Sequence, residues 1–119
     1  MHKNQYETVF ILTPVLSEDQ IKEAVDKFRQ FILDNEGEMV WEESWGIRKL
    51  AYPIRHKTTG YYHLFEFKAK PEFIEKFETQ LRRDERVMRF LTVKLDKNAI
   101  AYNEEKRRKL QAQQQEVES

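Results

Sequence analysis

The order of the predicted secondary-structure elements constrains the fold of this 119-residue chain more than any other feature of its sequence. Apolar residues follow strand spacing, then helical spacing, then strand spacing twice, and one further helix and strand complete the pattern. Two split units of this kind, joined by right-handed crossovers, predict an α+β ferredoxin-like βαββαβ sandwich. In that fold, a four-stranded antiparallel sheet carries both helices on one face.

The bounds of these elements follow from local spacing and from capping and turn residues. The predicted strands cover residues 6–12, 38–54, 61–68 and 87–95, and the predicted helices follow Ser17 and Pro71. Ser17 and Gln20 form a capping-box signature. The apolar residues of the second strand change parity near Gly46, which predicts a β-bulge. The first and third strands are the most apolar, so we expect them at the centre of the sheet, with the charged second and fourth strands at its edges.

The composition changes after residue 97, which divides the chain into a ferredoxin-like domain over residues 1–97 and a C-terminal tail over residues 98–119. Within the tail, the stretch Glu104–Lys109 is charged, and a run of glutamines follows it. It has no apolar stripe that could be buried against the domain. We therefore expect a tail that is disordered, or helical only when bound to a partner.

Charge is balanced over the whole chain but is unevenly distributed along it. Lys and Arg total 21 and Asp and Glu total 21, so the net charge of zero predicts no partner. However, no acid occurs between Glu43 and Glu66, and this interval holds the cationic residues Arg48, Lys49, Arg55 and Lys57, with His56 among them. They fall at the end of a strand and in an exposed turn, where a polyanion could reach them. The alternative is an edge strand and a turn that are kept soluble by charge.

The sequence gives little support for catalysis or for a cofactor. The chain has no cysteine, which excludes disulfides, thiolate metal sites and cysteine nucleophiles. Its histidines, at positions 2, 56 and 63, are isolated, and its three glycines form no phosphate-binding loop. There is no apolar run of about 20 residues and no signal-peptide pattern. We expect a cytoplasmic protein that is not an enzyme and has no cofactor.

Several segments, taken in order, resemble the bacterial ribosomal protein S-six family over about residues 3–97. They are the strand Tyr6–Leu12, the block Gly46–Ile54, the segment Gly60–Tyr62, and the pair Leu81–Asp84 and Val87–Arg89. The resemblance implies a ferredoxin-like structural constituent of the small ribosomal subunit. It also implies binding to the central domain of small-subunit ribosomal RNA, as a heterodimer with ribosomal protein S-eighteen.

The resemblance also implies which cations would contact RNA. Arg48 and Lys49 match the basic pair of the family, and the basic positions near its last strand are matched by Arg82, Arg89 and Lys94. Together with Arg55, His56 and Lys57, these residues form the predicted phosphate-contacting set. Parity places Arg89 on an otherwise apolar face with Val87 and Leu91, so we expect its guanidinium to pair with an acid or to point towards the rim of the sheet. For Arg82, a position near a helix C-terminus is the alternative explanation.

Aromatic residues of the second and third strands allow two interpretations each. Trp41 and Trp45 share one face of an edge strand, where they would either anchor a protein partner or close the core over the first helix. The tyrosines at positions 52, 61 and 62 could stack on bases, but we expect them to pack within the sheet.

Two other functional classes remain open for this fold. An acylphosphatase-like enzyme would need a glycine-rich anion-binding loop after the first strand, where the sequence has Thr13–Leu16 with a proline. A ligand-sensing regulatory module would pair with a second copy through its sheet edges.

Overall fold

A computed structural model describes residues 2–118 and has the predicted order of elements with one additional helix. The four strands are β1 (Asn4–Leu12), β2 (Glu38–Ile54), β3 (Lys57–Ala69) and β4 (Val87–Lys94). The three helices are α1 (Glu18–Asp34), α2 (Phe73–Arg83) and α3 (Lys97–Glu118). The strands form one antiparallel sheet in the order β2-β3-β1-β4. The predicted centre and edges of the sheet are confirmed.

The core lies between one face of the sheet and the helices α1 and α2. Phe10 of β1 meets Phe28 of α1 edge to face, with ring centroids 5.5 Å apart, and Phe67 of β3 meets Phe77 of α2 at the same distance. All four rings are fully buried. Each contributes about 1.5–3 kcal/mol through burial. These layers confirm the ferredoxin-like sandwich and leave the opposite face of the sheet, here called the open face, without α1 or α2.

The start of α1 is fixed by the predicted capping box. The Ser17 hydroxyl accepts a hydrogen bond from the backbone N–H of Gln20 (3.2 Å), and the side-chain oxygen of Gln20 accepts one from the backbone N–H of Ser17 (2.8 Å). Two N–H groups that lack helical partners are satisfied in this way. The direction in which α1 leaves β1 is thereby set.

The hairpin between β2 and β3 differs from the prediction at its turn. The predicted bulge is present, with a shift in register between Ser44 and Gly46 and a φ of 74° at Gly46. The predicted start of the third strand at residue 61 is wrong, because β3 already begins at Lys57 and the turn consists of Arg55 and His56 alone. Both turn residues have positive φ, 50° and 66°, which is the geometry of a tight two-residue hairpin.

The edge strand β4 contains a bulge that the periodicity did not indicate. Its pairing with β1 shifts between Ile11 and Leu12, so that Leu12 lies opposite Val87 and Ile11 lies opposite Arg89. The bulge at Met88 changes the parity of the strand. Arg89 is therefore exposed on the open face, and its expected position on the same face as Val87 is wrong.

The C-terminal segment also differs from the prediction, since residues 97–118 form the helix α3. Its amphipathic character is weak, as the sequence indicated. Polar contacts replace the missing apolar stripe: Asn103 and Arg107 both bond to Glu66 of β3, which is fully buried. The helix thus covers one end of the open face.

Candidate nucleic-acid interface

The hairpin of β2 and β3 carries most of the predicted RNA-contacting residues. Arg48 and Lys49 lie opposite Gly60 and Thr59 and are exposed. Arg55 and His56 form the turn and are also exposed, because a two-residue turn with positive φ projects both side chains from the tip. Lys57 follows and is half-buried. The structure therefore brings these five residues together on one hairpin.

The arginines near the hairpin make contacts with aromatic rings and carbonyl groups. Arg48 lies over the ring of Trp45, with 5.3 Å between its guanidinium carbon and the ring centroid. Arg89 of β4 lies 5.9 Å from the centroid of Tyr52. The guanidinium of Arg55 donates to the carbonyl of Glu85 at 3.5 Å. Such contacts orient a guanidinium without neutralising its charge.

The predicted RNA-contacting residues take no part in the ion pairs of the domain. Among the side chains that the structure describes, none of the eight forms an ion pair. Six other basic residues do, namely Lys27, Arg29, Lys70, Arg86, Arg107 and Arg108, whereas others such as Lys22 and Lys76 also form none among those side chains. The charge of the seven lysines and arginines in this set is therefore not neutralised by an ion pair among the described side chains.

Two of the predicted residues lie apart from the hairpin. Arg82, at the end of α2, contacts the ring of Phe90 at 5.6 Å, and Phe90 packs against the core on the helix side of the sheet. Lys94 pairs with Tyr6, whereas Arg89 pairs with Ile11. Lys94 lies five positions after Arg89 along the strand, a distance of about 16 Å. The fold thus joins Arg89 to the hairpin and places Arg82 and Lys94 elsewhere.

The two tryptophans of β2 lie on the open face and not over α1. Both indole N–H groups donate to the carboxylate of Glu43, Trp41 at 2.7 Å and Trp45 at 2.8 Å. Burial acts to raise the pKa of Glu43, but the two indole donors outweigh it and leave that pKa below its usual range. Trp45 stacks on Tyr62 at 6.1 Å, and Trp41 lies under Arg107 of α3 at 4.6 Å. Both rings are half-buried by contacts within the chain.

An apolar cleft next to the hairpin was not identified from the sequence. It measures about 380 Å³ and opens on the open face, and Arg89 stands at its rim. Tyr52 is 60% exposed there and Leu91 is 66% exposed. The other lining residues include Val9, Ile11, Leu50 and Tyr62. The change of parity after Gly46 was the signal for this cleft, because it turns Leu50 and Tyr52 towards the open face.

Of the other tyrosines, Tyr61 packs on the helix side, where it stacks with His63 at 6.5 Å and bonds to Ser44 through its hydroxyl. The expectation that the tyrosines pack within the sheet therefore fits Tyr61 and Tyr62, and does not fit the exposed Tyr52.

The histidine of β3 belongs to a structural network. His63 is buried, and its Nε2 lies 3.0 Å from the carboxylate of Glu42. Arg29 of α1 clamps the same carboxylate with two bonds of 2.8 and 2.6 Å. Burial lowers the pKa of His63, and the bonds from Arg29 lower the pKa of Glu42. This network connects α1 to the sheet.

The loop after β1 does not resemble an anion-binding loop. The N–H of Thr13 donates to the carbonyl of Arg86 at 2.8 Å, and Pro14 has no N–H to offer. Among the side chains that the structure describes, at residues 2–113, no three of His, Cys, Asp or Glu are grouped so that they could hold a metal ion. No helix within residues 2–118 is long and apolar enough to cross a membrane.

A ferredoxin-like sandwich with an exposed cationic hairpin defines the class of this protein as a small α+β domain. The family model for Ribosomal protein S6 matches residues 5–94. The chain therefore belongs to the ribosomal protein S6 family, the S-six family that its sequence resembles.

Named relatives and a solved structure agree with this membership. The "Small ribosomal subunit protein bS6" of Flavobacterium johnsoniae is 59% identical over 109 residues, covering 92% of this chain and 96% of the relative. The protein of the same name from Porphyromonas gingivalis is 59% identical over 114 residues, covering 96% and 97%. The crystal structure of 30S ribosomal protein S6 from Thermotoga maritima superposes with a TM-score of 0.76 at 25% identity, covering 92% of this chain and 99% of that one.

This membership bears out three expectations. The chain is a ribosomal protein of the small subunit, and it is not an enzyme, because its relatives are named as ribosomal proteins. The expected cytoplasmic location follows from the same membership, since bacterial ribosomes are cytoplasmic.

Proposed function

We propose that this protein binds the central domain of small-subunit ribosomal RNA together with ribosomal protein S-eighteen. The observation that carries the proposal is that five of the predicted RNA-contacting residues lie together on one hairpin and form no ion pair among the described side chains. A cation already paired with a carboxylate gains little from a phosphate. An unpaired cation releases the counterions of the phosphate it neutralises.

The hairpin would provide most of the phosphate contacts. Arg48 and Arg89 have guanidinium groups oriented by aromatic rings, so less side-chain freedom is lost when they bind a phosphate. Lys49, Arg55 and Lys57 add charge along the same edge. Contacts of this kind fix position and orientation on RNA and carry no base specificity of their own.

The acidic first helix would face away from RNA. Asp26 and Glu23 of α1 are engaged with Arg29 and Arg86, and the remaining acids of that helix are exposed. Like-charge repulsion disfavours contact between this surface and phosphate. The helix layer and the hairpin therefore have different electrostatic roles.

The protein partner would dock on the open face beside the hairpin. Trp41 and Trp45 were the predicted anchors, and their N–H groups are already bonded to Glu43. The apolar cleft at Tyr52 and Leu91 exposes more apolar surface, and it lies next to the same edge. We place the main contact of the partner in this cleft, with Trp45 at its border.

Binding of the purified protein to a transcript of the central domain, measured across a salt series with and without ribosomal protein S-eighteen, tests this proposal. We expect an affinity that falls steeply as salt rises and that is strengthened by the partner. Absence of salt-dependent RNA binding, even beside the partner, would reject the proposed function.

A further inference from the structure

One end of the open face carries an acidic cluster, formed by Glu7 of β1, Glu43 of β2 and Glu66 of β3. Glu66 is fully buried, and Glu7 pairs directly with it across the two strands. Burial raises the pKa of Glu7, and the charge of Glu66 raises it further. Without a counter-charge, this end of the sheet would repel a polyanion.

The helix α3 supplies that counter-charge. Nη2 of Arg107 lies 2.8 Å from Oε1 of Glu66, and Nδ2 of Asn103 donates to the same oxygen at 3.1 Å. The side chain of Arg107 is only 12% exposed, and its guanidinium lies over the ring of Trp41 at 4.6 Å. The helix is therefore held in one orientation, with position 107 facing the sheet.

This orientation determines where the neighbouring cations point. Successive residues of a helix are about 100° apart around its axis. Because Arg107 faces the sheet, Lys106 and Arg108 project to either side and Lys109 projects away from it. All three are exposed. Arg108 is paired with Glu105, whereas Lys106 and Lys109 form no ion pair among the described side chains.

We propose that α3 is a second polyanion-contacting surface, which covers the acidic end of the sheet and presents Lys106 and Lys109 to a phosphodiester backbone. The inference rests on the proposed function, but it concerns residues outside the family match at 5–94. The exposed apolar side chains in this part of α3, Tyr102 and Leu110, are eight positions apart. Eight positions of helix span about 12 Å, so these two side chains do not form a continuous apolar stripe, and phosphate is a better match for this helix than an apolar protein surface.

The test compares two charge-matched double variants of the full chain, using the transcript of the central domain as the probe. Lys106→Gln with Lys109→Gln removes the two cations and retains good helix formers. The control, Lys22→Gln with Lys76→Gln, removes two exposed cations from α1 and α2. Both variants lose the same net charge, so a difference in RNA binding between them shows that the position of the lost charge matters.

We expect the α3 variant to bind RNA at least tenfold more weakly than the control at low salt. The slope of log affinity against log salt should be smaller by about 1–2, as expected for one or two lost phosphate contacts. Equal affinities and slopes for the two variants, with RNA binding retained by the unaltered chain, would overturn this inference and leave the proposed function standing. Absence of RNA binding by the unaltered chain would overturn both.

Discussion

Glu66 of β3 and Arg107 of α3 form the ion pair that joins the C-terminal helix to the sheet. Their closest atoms are 2.8 Å apart, Glu66 is fully buried, and Asn103 and Gln5 donate to the same carboxylate. A buried carboxylate with three donors is stable only while its donors stay in place. The position of α3 therefore depends on the bonds that Arg107 and Asn103 make to this buried carboxylate.

Glu66→Gln should loosen α3 and leave the sandwich intact. Loss of the charge weakens the bonds from Arg107 and Asn103, at a cost of about 1–3 kcal/mol. Amide hydrogen exchange should therefore become at least fivefold faster along α3 and remain unchanged in β1 and β3. Glu104→Gln is the matched control, because Glu104 lies on α3 and is exposed. Equal exchange in the two variants would show that Glu66 does not hold the helix.

Asp84 should be the main acid that stabilises the junction between α2 and β4. Its carboxylate accepts bonds from Arg86 at 2.8, 2.9 and 3.0 Å and from Lys27 at 3.0 Å. The bonds from Arg86 hold the pKa of Asp84 well below its usual range. We expect Asp84→Asn to lower the free energy of unfolding by about 1–3 kcal/mol at pH 7.

The pH dependence of unfolding tests the same point. A carboxyl whose folded-state pKa is depressed contributes stability above its unfolded-state pKa, and loses that contribution as pH falls towards the folded-state pKa. Urea unfolding of the native chain should therefore show a loss of stability below about pH 4 that is smaller in Asp84→Asn. Parallel pH profiles for the two proteins would contradict this role of Asp84.

His63 should destabilise the fold at mildly acidic pH. Burial lowers the pKa of its imidazole; Glu42 favours the charged form and Arg29 opposes it. Because the folded-state pKa lies below the unfolded-state value of 6.5, stability is greatest above pH 6.5 and falls as pH drops below it. His63→Gln can still donate to Glu42, so it should remove this component of the pH profile. If the stability of His63→Gln depends on pH between pH 7 and pH 5 as that of the native chain does, His63 does not destabilise the fold at mildly acidic pH.

The apolar cleft should bind the protein partner. Leu91→Ser removes an exposed apolar side chain from the cleft, and we expect it to weaken association with ribosomal protein S-eighteen by about tenfold or more. Leu91 is 66% exposed, so the stability of the isolated chain should change by less than about 0.5 kcal/mol. Isothermal titration with the purified partner measures the effect.

The control for this prediction is Val15→Ser. Val15 is 68% exposed, so the two substitutions remove similar apolar surface. It follows β1 in the loop before α1, away from the cleft. If both variants bind the partner as the native chain does, the partner contacts another surface.

The sequence predicted most of the sandwich because its signals are local and consistent with one another. The capping box at Ser17, the change of parity at Gly46 and the apolar central strands each correspond to one feature of the structure. The bulge at Met88 had no such signal. An extra residue in one edge strand is a property of its pairing with β1, which periodicity along one strand cannot reveal.

The docking of α3 was hidden for a related reason. Sequence patterns identify helices that pack through apolar stripes, and α3 docks through the polar residues Asn103 and Arg107. Their partner, Glu66, is about 40 residues away in the chain. The sequence around Glu66 predicts only an acid on the surface of a strand. The cationic hairpin could be predicted because its basic residues are close together in the sequence. Which of the other basic residues form ion pairs is decided only in the folded chain.

The salt dependence of RNA binding by Arg48→Ala with Lys49→Ala tests the central claim most directly. Lys22→Ala with Lys76→Ala serves as the charge-matched control on the helix layer. The claim that the hairpin cations contact phosphates predicts weaker binding at every salt concentration, and a slope of log affinity against log salt that is smaller by about 1–2 than in the control. A slope and an affinity equal to those of the control would contradict it.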